Sequence, residues 1–365
     1  MGLILWRYVL FEANIDLDKV LKAIDGRKEF AVHSDGDYIS VDYHYVDEDT
    51  FKDKVRRECR GIKFKPNGEL LARPYHKFFN YGEPNADIVD WNLPYKVYGK
   101  LDGSMVHGVY LNGDIRLMSR RGITDVSIQA EKLLTGELRN FIHGYFLLGV
   151  TTIFEYISPD NRIVVFYPES SLVLTAMRWN MGGQYLNLEL LERLGLNKVN
   201  EFPFSSPDQI SPLKGIEGVV VRWPSGSMLK IKTEEYLAIH KAKSTLAQER
   251  NAIALALEGK FDDLLPCLTK EEQAYWLEKI GRLNKLIGEQ VDLLGRFHDI
   301  MKCQSRKEYA LAVYKSLPQN LLAPSFMLLD NSDLLPIQLV KNSLLSLTVS
   351  NNKYEQLKGL LNGTV

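Results

Sequence analysis

The chain has 365 residues, of which 45% are hydrophobic and 25% charged, and its formal net charge is −1. This length and composition are typical of a globular protein with about two domains. The longest uncharged apolar stretch, residues 141–154, falls short of the roughly 18 residues that a membrane span requires. We therefore expect no membrane segment and interpret this stretch as a buried strand.

The amino terminus and the cysteines bear on the cellular compartment. Arg7 and Glu12 interrupt the first apolar segment, which lacks a small-residue cleavage site, so no signal peptide is expected. Cys59, Cys267 and Cys303 lie far apart and outside any C-x-x-C spacing, which argues against a zinc site and against a disulfide framework. We expect a cytoplasmic protein that acts as a monomer.

Charge is unevenly distributed along the chain. Residues 1–49 carry 5 basic and 11 acidic side chains, whereas residues 50–80 carry 9 basic and 3 acidic side chains. The second segment predicts a concentrated positive surface that could contact an anion. A solvated basic face is the alternative reading of the same count.

The first predicted element is an amphipathic helix over residues 15–26. Its apolar residues recur at i, i+3, i+4 and i+7, which places them on one helix face. Asp16 is typical of a helix cap and Gly26 of a helix end.

Residues 30–125 follow a different pattern, in which apolar and polar residues alternate in short runs separated by Asp-Gly and Asn-Gly pairs. This pattern predicts antiparallel strands and hairpins. The next predicted elements are a helix over 126–139, strands over 150–157 and 171–178, a helix over 186–194, and a strand over 218–223. The region up to residue 240 is therefore predicted to be mixed α+β.

Beyond Thr233, a candidate helix cap, the periodicity is helical throughout. We predict two domains, residues 1–240 and residues 241–365, of which the second is all-α. Residues 233–365 carry 16 basic and 16 acidic side chains, so any RNA contact there should be a local patch. The densest basic cluster consists of Lys302, Arg306 and Lys307.

The strongest motif is K-x-D-G-S, which begins at Lys100 and follows an alternating apolar strand. It should occur by chance in only about one chain of this length in a hundred. Taken alone, it also fits an exposed lysine at a strand end beside an Asx-type turn.

Three downstream segments place charge beside apolar strands: residues 154–157, 217–222 and 229–232. In the last of these, Lys230 and Lys232 project from one strand face, and two ammonium groups on one face require an anion. Each segment alone fits ordinary strand-edge charge. In this order after Lys100, they instead point to a catalytic site.

The order K-x-D-G, F-E-Y, E-G-V-V-V and K-x-K resembles the collinear motifs of covalent nucleotidyltransferases, which include polynucleotide ligases and capping guanylyltransferases. Residues 59–64, 73–83 and 154–164 are similar to motifs of the bacteriophage RNA ligase 1 family, which repairs broken tRNA. The resemblance spans roughly residues 55–235. It implies an α+β, ATP-grasp-like nucleotidyltransferase domain of antiparallel sheets around an ATP cleft, followed by the all-α domain, to which we assign RNA selection.

The resemblance also implies an activity. The protein would be an ATP-dependent RNA ligase that joins RNA 5′-phosphate and 3′-hydroxyl ends, tRNA among them, through a lysyl-AMP intermediate. Its cofactors would be ATP and Mg²⁺ or Mn²⁺, and a polynucleotide kinase-phosphatase would be its functional partner. If a phage encodes it, the host cytoplasm would be its location.

Residue roles follow from the same resemblance. Lys100 would be the adenylated nucleophile, and Glu217 would hold the catalytic metal, directly or through water, with help from Asp102. Glu155 would accept a hydrogen bond from the ATP ribose, and Gly103 would let the backbone approach the nucleotide closely.

The remaining implied roles are contacts to phosphate, assigned to Arg60, Lys77, Lys230 and Lys232. The family also has a basic residue before a glycine that follows the nucleophile strand. Arg120 and Arg121 are both candidates for it, and we favour Arg121.

The chemistry explains these residue types. A lysine must be unprotonated to attack the α-phosphate of ATP, although the pKa of a free lysine is about 10.4. Neighbouring lysines and a divalent cation favour the neutral amine and also neutralise the charge that develops as pyrophosphate leaves.

Two other functions compete with this one. DNA ligases and capping enzymes usually follow the K-x-K motif with a β-rich OB domain, whereas this carboxyl-terminal region is predicted to be helical. A non-catalytic protein that binds RNA ends would have no need for the complete set of motif residues that this chain retains.

Overall fold

The computed structural model describes residues 11–189, 191, 195–203 and 206–363. The chain divides into two compact units, Met1–Leu237 and Ala238–Val365. The boundary falls inside one helix, Glu234–Leu246. None of the helices in the described ranges is long and apolar enough to cross a membrane.

Three four-stranded sheets form the framework of the first unit. The first sheet has the order β1-β2-β3-β4 and consists of β1 Phe30–Ser34, β2 Ile39–Tyr43, β3 Ile62–Phe64 and β4 Leu70–Ala72. The second sheet has the order β10-β9-β7-β8 and consists of β7 Ser104–Leu111, β8 Asp114–Met118, β9 Val150–Ile157 and β10 Ser171–Trp179. The third sheet has the order β5-β12-β11-β6 and consists of β5 Phe79–Asn80, β6 Lys96–Lys100, β11 Gly218–Arg222 and β12 Met228–Lys232.

The strand pairs are antiparallel except for β5, which runs parallel to β12. The prediction of an α+β region built from antiparallel sheets is therefore confirmed. The consecutive strands β6 and β7 belong to different sheets, so the short connection between them, residues 101–103, passes from the third sheet to the second.

The helices of the first unit begin where the sequence supplies a cap. Helix α1, Leu17–Ile24, begins after Asp16, whose side chain accepts from the backbone N–H of Lys19, as predicted. The other helices are α2 Lys54–Glu58, α3 Asp125–Glu131 and α4 Gly136–Leu147.

Two element predictions are corrected here. The single helix over 126–139 is in fact two helices, because Thr124 caps α3 and Thr135 caps a separate α4. The apolar stretch 141–154 is not one strand, since its first half completes α4 and Gly149, at φ +72°, turns the chain into β9. Periodicity cannot separate a buried helix from a buried strand in a short apolar run. Part of the helix predicted over 186–194, namely residues 190 and 192–194, lies outside the described residues.

The second unit is helical, as predicted. After α5 Glu234–Leu246 follow α6 Glu249–Leu257, α7 Lys270–Met301, α8 Arg306–Ser316, α9 Gln319–Asp330, α10 Pro336–Ser346 and α11 Asn351–Leu361. The long α7 begins with a capping box made by Thr269 and Glu272. Its buried face, which includes Leu283, Ile287 and Leu294, belongs to one hydrophobic core shared with α8 to α11.

A buried ion cluster ties the first unit together. Glu58, at the end of α2, accepts from Arg73 at 2.7 Å and from Arg178 of β10 at 2.7 and 2.8 Å. All three side chains are almost completely buried. Burial alone would raise the pKa of Glu58, but Arg178 and Arg73 hold it at about 2.

We predict that Glu58→Gln lowers the free energy of unfolding by about 3–5 kcal/mol, because two guanidinium groups would remain buried without their counter-charge. Urea unfolding of the purified variant measures this. The exposed Glu48→Gln change is the matched control and should stay within about 0.5 kcal/mol of the unmodified protein. A loss below about 1 kcal/mol for Glu58→Gln would show that the cluster contributes little.

Candidate active site

A cavity of about 570 Å³ lies between the second and third sheets. Strands β6, β11 and β12 contribute one wall, and β7, β9 and β10 contribute the opposite wall. Its lining includes six of the residues predicted from the sequence, namely Arg60, Lys100, Gly103, Arg121, Glu155 and Lys230. The structure thus gathers residues from distant parts of the chain around one space.

The register of the third sheet places the lysines on one face. Gly218 of β11 is paired on one side with Lys100 of β6 and on the other with Lys232 of β12. Val220 is paired with Lys230 in the same way. Directly paired residues of antiparallel strands project to the same face, so the three lysines face the same side of the sheet.

Glu217, which precedes β11, holds two of these lysines. Its carboxylate lies 2.6 Å from Nζ of Lys100 and 3.1 Å from Nζ of Lys232. The Glu217 side chain is only 3% exposed, whereas the two lysines remain about one-fifth exposed. A buried carboxylate therefore fixes the position of the candidate nucleophile before any ligand binds.

Lys230 stands in a strongly cationic environment. Burial, followed by repulsion from Arg60 and Lys77, lowers the pKa of its ammonium group to about 6. Lys100 and Lys232 act in the same direction. An anion bound beside Lys230 would raise this pKa and thereby favour the protonated form of the lysine near neutral pH.

Glu155 faces the lysines from the opposite wall. Burial raises its pKa, the Lys100 ammonium opposes this rise and the Glu217 carboxylate adds to it, and the resulting pKa is about 7. A carboxyl group with this pKa can donate as well as accept a hydrogen bond near neutral pH.

The two arginines that the sequence could not distinguish have different surroundings. Arg120 donates from Nε and Nη2 to the Asp42 carboxylate at 2.9–3.1 Å, and its guanidinium lies 4.4 Å from the centre of the Tyr43 ring. Arg121 is exposed and, among the residues that the structure describes, has no carboxylate within 4.0 Å. Both line the cavity, but Arg121 is the one whose guanidinium is not already engaged by a carboxylate.

Asp102 turns away from the cavity. It is 1% exposed, and its Oδ2 accepts from the backbone N–H groups of Val164 and Val165 at 2.6 and 2.7 Å. Its Oδ1 accepts from the hydroxyl of Tyr236 at 2.8 Å. A metal ion bound to Asp102 would have to replace these hydrogen bonds. The geometry therefore indicates that this carboxylate holds the loop after β9 against the turn that follows Lys100.

The tight approach expected at Gly103 is present, but it involves protein. A Cβ atom at this position would lie 2.3 Å from the carbonyl oxygen of Tyr156 in β9. A glycine is therefore required at this position for the turn to pass close to β9. This close approach sets the direction in which the chain leaves β6.

Lys77 does not line the cavity. Its ammonium lies 4.9 Å from the Phe79 ring centre and 5.1 Å from that of Tyr43, in a cation–π arrangement. It therefore stands behind the cavity wall and adds positive potential to Lys230.

Two residues of the site had no predicted role. Tyr236 lies beyond the K-x-K motif, and its partnership with Asp102 spans more than a hundred residues of sequence, so no local signal marks it. Arg222 closes the far end of the cavity. Its position at the end of an apolar strand fits ordinary edge charge equally well.

The described residues contain no cluster of three or more His, Cys, Asp or Glu side chains suited to hold a metal ion. Glu217 is the carboxylate that contacts the ammonium groups of Lys100 and Lys232. Mg²⁺ commonly uses only one or two protein carboxylates and completes its shell with water and substrate phosphate. The donor set therefore fits a cation shared with a phosphate ligand and does not fit an all-protein cage.

Comparisons with known proteins show which sequences this chain is similar to. Residues 58–236 match the model of a family described as RNA ligase. A Thermovibrio ammonificans protein named "Putative RNA ligase" is 29% identical, over 81% of this chain and 85% of its own length. RNA ligase 1 of bacteriophage TS2126 is 28% identical over 70% of each chain. A viral protein of Autographa californica nuclear polyhedrosis virus, named "Putative bifunctional polynucleotide kinase/RNA ligase", is 27% identical over 57% of this chain and 34% of its own.

The site geometry predicts a pH dependence of stability that originates at Lys230. Its pKa is about 6 in the folded protein, below the ordinary value of 10.5, so between these values the unfolded chain binds a proton that the folded chain lacks. The free energy of unfolding of the unmodified protein should therefore rise with pH relative to Lys230→Met, by up to about 1.4 kcal/mol per pH unit.

Urea unfolding of both proteins at several pH values from about 6.5 to 9 measures this difference. The exposed Lys28→Met variant is the control and should run parallel to the unmodified protein. Parallel profiles for Lys230→Met as well would contradict the lowered pKa.

Proposed function

Because the chain belongs to the RNA ligase family, we propose that it is an ATP-dependent RNA ligase that joins a 5′-phosphate end to a 3′-hydroxyl end through lysyl-AMP on Lys100. One observation carries the proposal. The Nζ atom of Lys100 is held by Glu217 at the mouth of a cavity that also contains Arg60 and Lys230. A single amine fixed among cations is the arrangement that a nucleophile for a triphosphate requires.

In the first step, Nζ of Lys100 would attack the α-phosphorus of ATP. A P–N bond forms, the bond between the α-phosphorus and the bridging oxygen breaks, and pyrophosphate leaves. The Lys100 ammonium must lose one proton before it can attack, and the Glu217 carboxylate at 2.6 Å is placed to accept it. The nitrogen loses its second proton as the P–N bond forms, and the departing pyrophosphate takes it up.

The surrounding cations would bind the phosphates and stabilise the charge that develops on them. Arg60 and Lys230 line the cavity with Lys100, and Arg121 stands unpaired at its edge. A bound triphosphate would raise the pKa of Lys230 from its value of about 6, so ATP binding near neutral pH should be coupled to proton uptake by this side chain.

Glu155 lies opposite Lys100 and would position the ribose. Since its pKa is about 7, its carboxyl group can form a hydrogen bond with a ribose hydroxyl in either protonation state. We keep this contact as a proposal, as we do the phosphate contacts of Lys77 and Lys232.

A divalent cation, Mg²⁺ or Mn²⁺, fits this arrangement through Glu217, which would exchange one lysine contact for it. When bound, it supplies positive charge against the triphosphate. Asp102 would act by positioning, since three protein hydrogen bonds engage its carboxylate.

The later steps would use the same centre. The RNA 5′-phosphate attacks the adenylate, which releases the Lys100 amine, and the 3′-hydroxyl then attacks the RNA phosphorus and displaces AMP. Ends that carry other groups would first need a polynucleotide kinase-phosphatase, and one relative's name joins kinase and ligase in a single protein. We propose RNA repair, including tRNA, in the cytoplasm as the setting.

The helical unit is proposed to select the RNA. Of its predicted basic cluster, Lys302 pairs with Asp299 at 2.7 Å and Arg306 with Asp330 at 2.6 Å. Lys307 has no ion-pair partner among the described residues. The cluster is therefore weaker than its sequence suggests, and Lys307 is the member left to contact a phosphate.

We predict that Lys100→Ala abolishes the label that the protein takes from [α-³²P]ATP but retains sealing of RNA that already carries a 5′-adenylate. The last step needs the pocket and not the nucleophile. Lys96→Ala, four residues earlier on the same strand and engaged with Glu201 at 3.1 Å, is the control that should label normally. Equal loss of both activities in folded Lys100→Ala would count against the assignment.

A second prediction concerns Glu217→Gln, which keeps the size of the side chain but removes its charge. Labelling should fall by at least about a hundredfold, the scale expected when one preorganised charge is removed. Glu201→Gln, an exposed carboxylate of the same unit, should label normally. Near-normal labelling of Glu217→Gln would place the reacting centre elsewhere.

For the helical unit, Lys307→Glu should leave protein labelling unchanged and weaken binding to a nicked tRNA anticodon hairpin. The slope of log affinity against log salt should fall by about one, since one phosphate contact is lost. Lys260→Glu, a lysine already paired with Glu258 at 2.7 Å, is the control. An unchanged slope would remove Lys307 from the RNA surface.

A further inference from the structure

The far end of the cavity is closed by the guanidinium of Arg222. The residue is 9% exposed, and its Nη2 donates to the carbonyl oxygen of Thr175 at 2.7 Å and to the hydroxyl of Tyr75. Its Nε is buried and has no hydrogen-bond partner. Among the described residues Nη1 also has no hydrogen-bond partner, but it is not enclosed as Nε is, so a ligand in the cavity can reach the donors of Nη1.

This charge is uncompensated in the described ranges, where no carboxylate lies within 4.0 Å of Arg222. Aromatic rings surround it, with ring centres at 4.5 Å for Tyr98, 5.3 Å for Tyr75 and 5.8 Å for Tyr185. Cation–π contacts offset only part of the cost of burying a charge, and an unsatisfied buried donor adds to it. A ligand with an acceptor atom that reaches the guanidinium would offset part of this cost.

The pairing of the strands gives the distance along the sheet between Lys100 and Arg222. Lys100 is paired with Gly218, and Arg222 stands four residues further along β11, on the same face. At about 3.3 Å per residue this is roughly 13 Å. With the α-phosphate at Lys100 and the ribose near Glu155, the base of a nucleotide would extend toward Arg222.

This inference rests on the proposed function. We propose that Arg222 is the specificity-determining residue for the nucleobase of ATP. An N–H of its Nη1 donates to the ring nitrogen beside the amino group of adenine, either N7 or N1, while the Thr175 carbonyl accepts from that amino group. Arg222 and Thr175 thus present a donor next to an acceptor, which adenine matches with an acceptor next to a donor.

Guanine would not match in the same orientation. Where adenine has its amino group, guanine has the O6 acceptor, which would face the acceptor oxygen of Thr175. Two facing acceptors lose a hydrogen bond and leave a buried polar group unsatisfied. The pair therefore selects ATP over GTP.

The experiment compares kcat/KM of the unmodified protein for lysyl-AMP formation with ATP, 7-deaza-ATP and 1-deaza-ATP. One of the two analogues, and only one, should fall by about tenfold to a hundredfold, since a hydrogen bond from a charged donor is lost. If both analogues react like ATP, or if both fall equally, the inference is overturned without any variant.

Arg222→Met supplies the second measurement. Its kcat/KM for ATP should fall to the level of the sensitive analogue, mainly through KM, and its discrimination between the two should disappear. Lys96→Met is the matched control, because Lys96 is paired with Arg222 in the sheet but does not line the cavity. It should discriminate as the unmodified protein does.

A folded Arg222→Met that still discriminates against the sensitive analogue would overturn the inference. If Arg222→Met fails to fold, the analogue series on the unmodified protein decides alone. Failure of the proposed function has a different signature, since the unmodified protein would then form lysyl-AMP with none of the nucleotides.

Discussion

The carboxylate of Glu217 holds together two lysines that would otherwise repel each other. Lys100 and Lys232 come from the two strands that flank β11, and only a counter-charge on the strand between them allows both ammonium groups to face one side of the sheet. Lys230 and Arg60 add further positive charge that Glu217 does not neutralise. The cavity is therefore built for an anion, and its affinity for one follows from charge that the fold itself leaves uncompensated.

Lys100, the proposed nucleophile, also depends on a second constraint, which acts on its backbone. Lys100 ends the strand at which the chain crosses from one sheet to the other. Asp102 fixes that crossing by accepting from Val164 and Val165 on one side and from Tyr236 on the other. Asp102 thus serves as a buried acceptor for three donors and not as an exposed charge.

Two buried arginines differ in whether a carboxylate of the protein neutralises their charge. Arg178 is stacked near Tyr185 and is matched by Glu58, so its charge is satisfied within the protein. Arg222 also lies near Tyr185, but only neutral groups accept from it. The first arrangement stabilises the wall, whereas the second keeps one donor free toward the cavity. Similar aromatic surroundings thus serve two purposes, depending on whether a carboxylate is present.

The amino-acid sequence by itself determined the K-x-D-G-S motif at Lys100 and the helical character of the carboxyl-terminal region, since both depend on local spacing. The common face of Lys230 and Lys232 also follows from the period of a strand. Only the tertiary structure decided that Asp102 points inward and that residues 141–154 are divided between a helix and a strand. It also decided that Arg222 closes the cavity. Those outcomes depend on contacts between segments far apart in the sequence, as between Asp102 and Val164 or between Arg222 and Thr175, and no local pattern encodes them.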